Sequence, residues 1–497
     1  WRRNEGGIPV HASRKIIALA IAFPTGYNLA CRDFERSGRP GGNRPDHGVD
    51  KSFSGKARLH SNERRSHMKP QHTTLTRRHF LRTSAQATVL TGLAVTTRAY
   101  GAGSDRIRVG LVGCGGRGTG AAQDALLAGP NIELVAMGDI FRPRVEASLA
   151  QLSKVAQDNK TLQGSIKVTP DHCFSGLDAY RKVIDSEIDY VLLCTPPGFR
   201  PEHIEYAVKR GVHIFAEKPC ATDAPGVRRI LALEDEMKRK GIALLSGFNG
   251  RHAFHQADLV KAVHDGQLGE VMSLYAYFNT GDIWYREREE GMTLPEYHFH
   301  NWFHVDWLCG DHIVEQHVHN LDACNWIMQA HPVGAYGMGG RQYHTDRGGN
   351  IYDHFTVLFD YDNGVRLTSM CRQIRGTDAR IGEEIVGTKG TGSLVGRKTE
   401  ITGPNARVFR EHPDQHESHH QEHIDFVAAL RRGETPNDTR FLCESTLTAI
   451  MGRESAYTGK YVAWDEILNS TLRLTPPDIA AWDGSIRPVP KPGMPRV

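Results

Sequence analysis

No two cysteines of this chain stand at CxxC spacing: Cys31, Cys114, Cys173, Cys194, Cys220, Cys309, Cys324, Cys371 and Cys443 are scattered singly through 497 residues. That excludes a zinc ribbon and a disulfide-stapled scaffold, and leaves most of them to serve as small buried apolar residues. Long hydrophobic runs are missing too. The apolar stretch from Ile16 to Phe23 is too short to span a bilayer, and no membrane anchor is expected. Nor does one sign of charge prevail. The 61 Lys and Arg against 57 Asp and Glu leave a formal +4, partly owed to the arginine-rich first eighty residues, and no basic patch points to nucleic acid. Methionine is absent before Met68, and no internal repeat is present. What remains, 39% hydrophobic and 24% charged residues, is the composition of a globular chain large enough for two or three domains.

Residues 1–67 are rich in Arg, Gly, Asn and Ser and begin at Trp1, and they read as upstream sequence, with translation starting at Met68. Residues 68–102 have the order of a targeting peptide: a basic start, then Thr76-Arg77-Arg78-His79-Phe80-Leu81-Arg82, then a mildly apolar stretch from Ala85 to Val95. This pattern resembles a twin-arginine export signal, against the alternative of an ordinary amphipathic helix. That route carries folded proteins, so the expected location is the periplasm, with any cofactor already inside.

The chain is organised around Arg106 to Gly118. Alternating Ile107, Val109 and Leu111 predict a short buried strand, and Gly113, Gly115 and Gly118 fit GxGxxG before a helical run from Thr119 to Ala128. A tight turn, a close backbone approach and unpaired helix N–H groups suit a dinucleotide pyrophosphate. Asn131 to Met137 predicts a second strand that ends at Asp139, where a carboxylate accepts the ribose hydroxyls of NAD. Arg142 and Arg144 follow, and leave NADP open. Tyr190 to Cys194, Val212 to Ala216 and Ile242 to Ser246 are further apolar strands between helical segments. The expectation is an α/β chain: a Rossmann-type, doubly wound parallel sheet over residues 103–250, its ligand edge at the strand C-terminal ends. Gly113, Gly115, Gly116, Arg117, Gly118, Asp139, Thr195, Pro196, Glu217 and Lys218 are the expected cofactor-binding residues there. Over 251–470 the segments Val271 to Phe278, Tyr352 to Tyr361 and Val365 to Arg372 alternate, predicting a second α/β domain on an open, mostly antiparallel sheet. A Trp- and His-rich insertion, residues 284–325, interrupts it, and 471–497 reads as an extended proline-rich tail.

Two constellations carry chemistry. Glu217-Lys218-Pro219 ends a buried strand, where Lys218 can polarise a substrate oxygen, though a lysine in such a place is often merely solvated. If Gly310 to Asp322 is helical, Glu315 and His319 lie one turn apart on one face, a carboxylate that orients an imidazole for proton transfer. His298, His300, His304, His312 and His317 are near in sequence, but their spacing fits no metal motif; no metal is expected, and most of them read as hydrogen-bonding groups of a crowded interface.

The order GxGxxG, Asp139, Thr195-Pro196-Pro197, Glu217-Lys218-Pro219, Gly266-Gln267-Leu268-Gly269-Glu270 and Glu315-xxx-His319-xx-Asp322 resembles the Gfo/Idh/MocA family of oxidoreductases, over nearly everything from Arg106 to Trp464. The resemblance implies bound NAD or NADP, sugar or polyol substrates, a homo-oligomer paired through open sheets, and catalytic roles for Lys218, Glu315 and His319. The family's Asp-xxx-His pair here begins with Glu. The main reading is hydride transfer to and from a tightly held cofactor. The alternatives are an NAD-dependent, redox-neutral glycoside hydrolase or lyase, and a non-catalytic nucleotide-binding protein.

Overall fold

Apolar alternation and continuous apolar runs become two sheets in the computed structural model, which describes residues 105–494 apart from Arg397 and Glu411. The segment 1–67 and the export signal at 68–102 lie outside the described residues. The first sheet has strands β1 (Ile107–Val112), β2 (Ile132–Asp139), β3 (Cys173–Ser175), β4 (Tyr190–Leu193), β5 (His213–Ala216) and β6 (Leu244–Ser246), all parallel in the order β3-β2-β1-β4-β5-β6. Strand β4 is buried at every position, as a parallel strand covered on both faces must be. The order turns between β1 and β4, so a crevice opens beyond their C-terminal ends, which is where such sheets hold ligands.

The second sheet holds β7 (Val271–Thr280), β8 (Gly334–Gly340), β9 (His354–Asp360), β10 (Arg366–Gln373), β11 (Arg380–Gly387), β12 (Gly390–Val395), β13 (Lys398–Ile401), β14 (Arg407–Phe409) and β15 (Tyr461–Ala463). Their order is β14-β13-β12-β11-β7-β10-β9-β8-β15, antiparallel except where β7 and β10 run parallel. This is the mixed, mostly antiparallel sheet expected after a Rossmann domain. One face is covered by the helices Val318–Met328 and Thr439–Thr458, while the other leaves Tyr336, Met338, Leu358, Met370 and Tyr461 exposed. No helix among the described residues is long and apolar enough to cross a membrane.

Three details depart from the sequence pattern. The helical segment between the strands Val212 to Ala216 and Ile242 to Ser246 is two helices, Ala224–Leu231 and Glu234–Lys240. The helix Ser418–Arg431, though late in the chain, packs on the first sheet's core, where Phe426 meets Tyr190 edge-on at 5.4 Å. The tail does not trail into solvent: Trp482 packs on Trp307 at 5.0 Å and the Pro490 carbonyl accepts from the Tyr352 hydroxyl.

Candidate active site

The glycine-rich turn is shaped by close backbone approaches. Gly113 has φ +95°, a region that favours glycine, and a Cβ there would lie 2.7 Å from the Cys194 carbonyl carbon. A Cβ on Gly118 would lie 1.8 Å from the Gly113 carbonyl oxygen, so only glycine lets the helix Gly116–Leu127 start against β1. Gly115 and Gly116 differ: a Cβ on either would meet nothing within 4 Å. Their surfaces face open space, and the helix begins without a side-chain cap, which leaves the N–H groups of its first turn for a ligand. These are the conditions for holding a pyrophosphate, so the residues fit a dinucleotide. Asp139 completes the turn: its carboxylate accepts from the Cys114 N–H at 2.8 Å and the Phe141 N–H at 3.0 Å.

A cavity of about 550 Å³ lies over this turn. Gly113, Gly115, Gly116, Arg117, Gly118, Asp139, Thr195 and Pro196 line it, so eight of the expected cofactor-binding residues share one space. Glu217 and Lys218 do not line it; both are buried at the end of β5. Of the two arginines after Asp139, only Arg144 lines the cavity, for Arg142 is turned to Glu146 and the Cys173 carbonyl. The wall opposite the turn was not legible in the sequence: it is built by Trp284, Arg286, Phe299, His300 and Trp302 of the insertion.

Lys218 and Glu315 meet. The Lys218 ammonium donates to the Glu315 carbonyl and, at 3.0 Å, to the Glu315 carboxylate, with both side chains buried. Burial pushes the Glu315 carboxyl up, and Lys218 and then Arg200 oppose that only in part. The expectation that Glu315 orients His319 across one helical turn is corrected here. The helix is broken into His312–Glu315 and Val318–Met328, and the Glu315 carboxylate faces Lys218. The cause is a contact distant in sequence: Lys218 takes the Glu315 carbonyl, and the His319 N–H bonds the Gln316 carbonyl at 3.3 Å instead. His319 stands edge-on to Phe248 with ring centroids 5.8 Å apart. Burial, then the charges of Lys218, His419 and Arg117, hold its pKa well below the usual imidazole range. These influences keep it uncharged, the state from which a proton acceptor must start.

A second charge group was only half foreseen. Arg117, in the first turn after the glycines, donates from Nε to Glu217 and from an Nη to Glu422 at 2.8 Å. Burial pushes Glu217 up, but Arg117, Lys218 and Arg200 outweigh it and hold the carboxyl below its ordinary value. Glu422 goes the other way: burial and the Glu217 charge push it well up, and its second oxygen is buried without a partner. The sequence signal was a carboxylate on the face of a helix that carries Phe426 four residues on and packs into a core.

The histidines of the insertion make separate bonds. His304 bonds the Trp284 carbonyl, His312 bonds Asp311 and His317 bonds Ser369 and Asn320. Among the described residues no three His, Cys, Asp or Glu side chains are grouped to hold a metal.

Two family models match the chain in succession: an oxidoreductase family with an NAD-binding Rossmann fold over residues 107–244, and the GFO/IDH/MocA C-terminal domain over 257–393. Inositol 2-dehydrogenase of Rubrobacter xylanophilus is 23% identical over 339 residues, 67% of this chain and 85% of that protein. The scyllo-inositol 2-dehydrogenase (NAD(+)) of Bacillus subtilis is 22% identical over 340 residues, 67% of this chain and 88% of that protein. Aldose-aldose oxidoreductase from Caulobacter crescentus, crystallised with glycerol, shares the fold with a TM-score of 0.56 at 16% identity, over 72% of this chain and 99% of that one.

Proposed function

The chain belongs to the Gfo/Idh/MocA oxidoreductase family and is an NAD-dependent dehydrogenase acting on CH–OH groups; from that premise we propose that its substrate is a sugar or polyol and that its cofactor stays bound between turnovers. The observation that carries this reading is the buried Lys218–Glu315 pair beside a neutral His319, at the strand ends next to the cavity. NAD, when bound, supplies the hydride acceptor. The chain's own residues do the rest. His319 takes the proton of the reacting hydroxyl, Lys218 donates a hydrogen bond to that oxygen and steadies its developing charge, and Glu315 positions Lys218. The walls on both sides of the cavity favour retention of the nucleotide.

Purified protein, desalted and then mixed with inositols, aldoses and glycosides, should show nicotinamide absorbance that changes with substrate while the nucleotide remains on the protein. Loss of all nucleotide on desalting, with full activity on added NAD, would remove the retention claim. Cleavage of glycosides without net NADH would instead select the redox-neutral hydrolase.

Export through the Arg77-Arg78 signal and pairing through the open face of the second sheet complete the proposal. The exposed Tyr336, Met338, Leu358 and Tyr461 lie on neighbouring strands, Tyr336 opposite Leu358 and Tyr461, an apolar surface suited to a second copy. Cell fractionation that leaves the protein in the cytoplasm, or a monomer mass by light scattering, would refute the respective attribution.

A further inference from the structure

The cavity wall opposite the glycine turn comes from the substrate domain, and it is held too firmly to be a loose lid. Asn301 is buried and its side-chain amide pairs with the backbone of Arg286 in both directions, accepting from the N–H at 2.9 Å and donating to the carbonyl at 2.9 Å. That fixes the Arg286 backbone at the cavity rim, while its side chain forms no ion pair among the described residues. On the other side Arg144 lies 4.9 Å over the Phe141 ring, and Phe141 stacks on His300 at 4.2 Å. Arg144 donates to His300 Nδ1 at 3.3 Å and makes no carboxylate ion pair among the described residues. Burial pulls the Arg144 pKa down, the Asp139 charge opposes this and the Arg286 charge adds to it, and both arginines line the same space. The one carboxylate there, Asp139, is already engaged by two N–H groups.

Two guanidinium groups lining one cavity, neither hydrogen-bonded to a carboxylate among the described residues, are a receptor for an anion, and guanidinium suits phosphate oxygens best. Resting on the dinucleotide reading above, we propose that Arg286 from the substrate domain and Arg144 from the Rossmann domain together clamp a phosphate group of the bound dinucleotide. Residues 284–302 thereby make the nucleotide site a two-domain site. Arg144 stands in the first turn after β2, beside the ribose position, which brings a 2′-phosphate within reach; the diphosphate is the other phosphate available.

The test uses the full protein freed of nucleotide, titrated with NAD, NADP and ADP-ribose by tryptophan fluorescence, with off-rates from rapid gel filtration. Arg286→Ala and Arg144→Ala should each weaken binding by about tenfold or more, and Arg286→Lys by less. The neighbouring Glu287→Ala should change nothing. A loss confined to NADP assigns the clamp to the 2′-phosphate. A loss shared by NAD, NADP and ADP-ribose assigns it to the diphosphate. If Arg286→Ala binds all three as wild type does, and its thermal transition is unchanged, the clamp is refuted while the dehydrogenase reading stands. Wild-type protein that binds none of them would refute that reading itself.

Discussion

Lys218→Met is expected to lower kcat by about a thousandfold while the protein still binds NAD, within the range found for loss of a positioned acid or base group. The two effects separate because Lys218 does not line the cavity that holds the glycine turn, yet it ends the strand next to it. Breaking a buried ion pair by removing one partner often costs about 3–5 kcal/mol, because the other charge is stranded. Here the cost should be smaller. Burial already pushes the Glu315 carboxyl up, and without Lys218 it takes a proton instead of remaining a buried anion. Glu315→Gln keeps the lysine but loses its carboxylate anchor; it should reduce kcat by roughly tenfold, less than loss of the lysine itself. Single-turnover absorbance at the nicotinamide band measures both variants, and a thermal scan reports their stability. Lys218→Met with kcat within about threefold of wild type would leave the lysine as a structural strut only.

The pattern of parallel strands and the glycine turn were legible because both are short-range: continuous apolar runs mark strands covered on two faces, and GxGxxG states where backbone must come close. Lys218 was legible for the same reason. The partner of Glu315 was misassigned because helical periodicity describes only the chain's own neighbours. The contact that decides the matter joins residues 97 positions apart and removes a helix carbonyl from the ladder. Likewise the insertion announced itself by composition, but that Trp284, Arg286 and His300 wall the nucleotide cavity depends on how Asn301 and His304 fold that segment back on itself. Arg117 was seen as a member of the turn. That it reaches across 305 residues to Glu422 required the late helix to pack on the first domain.

Arg117→Met is the substitution with the largest expected effect on stability, a loss of about 3–5 kcal/mol at neutral pH, since it strands the buried Glu217 charge and takes the hydrogen-bond donor from Glu422. In the native protein Arg117 bonds both Glu217 and Glu422 and allows one of them to be ionised: Glu217 is held below its usual range and Glu422 well above. These two have opposite consequences with pH. A carboxyl lowered in the fold contributes stability above its unfolded pKa and loses it as pH falls through the folded value. A carboxyl raised in the fold binds its proton more tightly when folded, so stability declines as pH rises from about 4.5 through the folded value. With Arg117 gone, Glu217 loses its nearest cation and moves up beside Glu422. The variant should therefore be close to wild type near pH 4.5 and fall progressively behind it as pH rises, a trend that urea unfolding at stepped pH measures directly. A protonated carboxyl and an amide are alike in shape and charge, but the amide has no proton to take up, so Glu422→Gln alone should be nearly neutral near pH 4.5 and gain on wild type as pH rises, and Arg117→Met/Glu422→Gln should recover a large part of the loss. A double-mutant cycle in which Glu422→Gln is as damaging as Arg117→Met would mean that Glu422 is ionised, and the asymmetry would fail. If it holds, one guanidinium ties the nucleotide turn, the Glu217-Lys218 strand end and the late helix together, and the proton on Glu422 is what lets a single cation serve two acids.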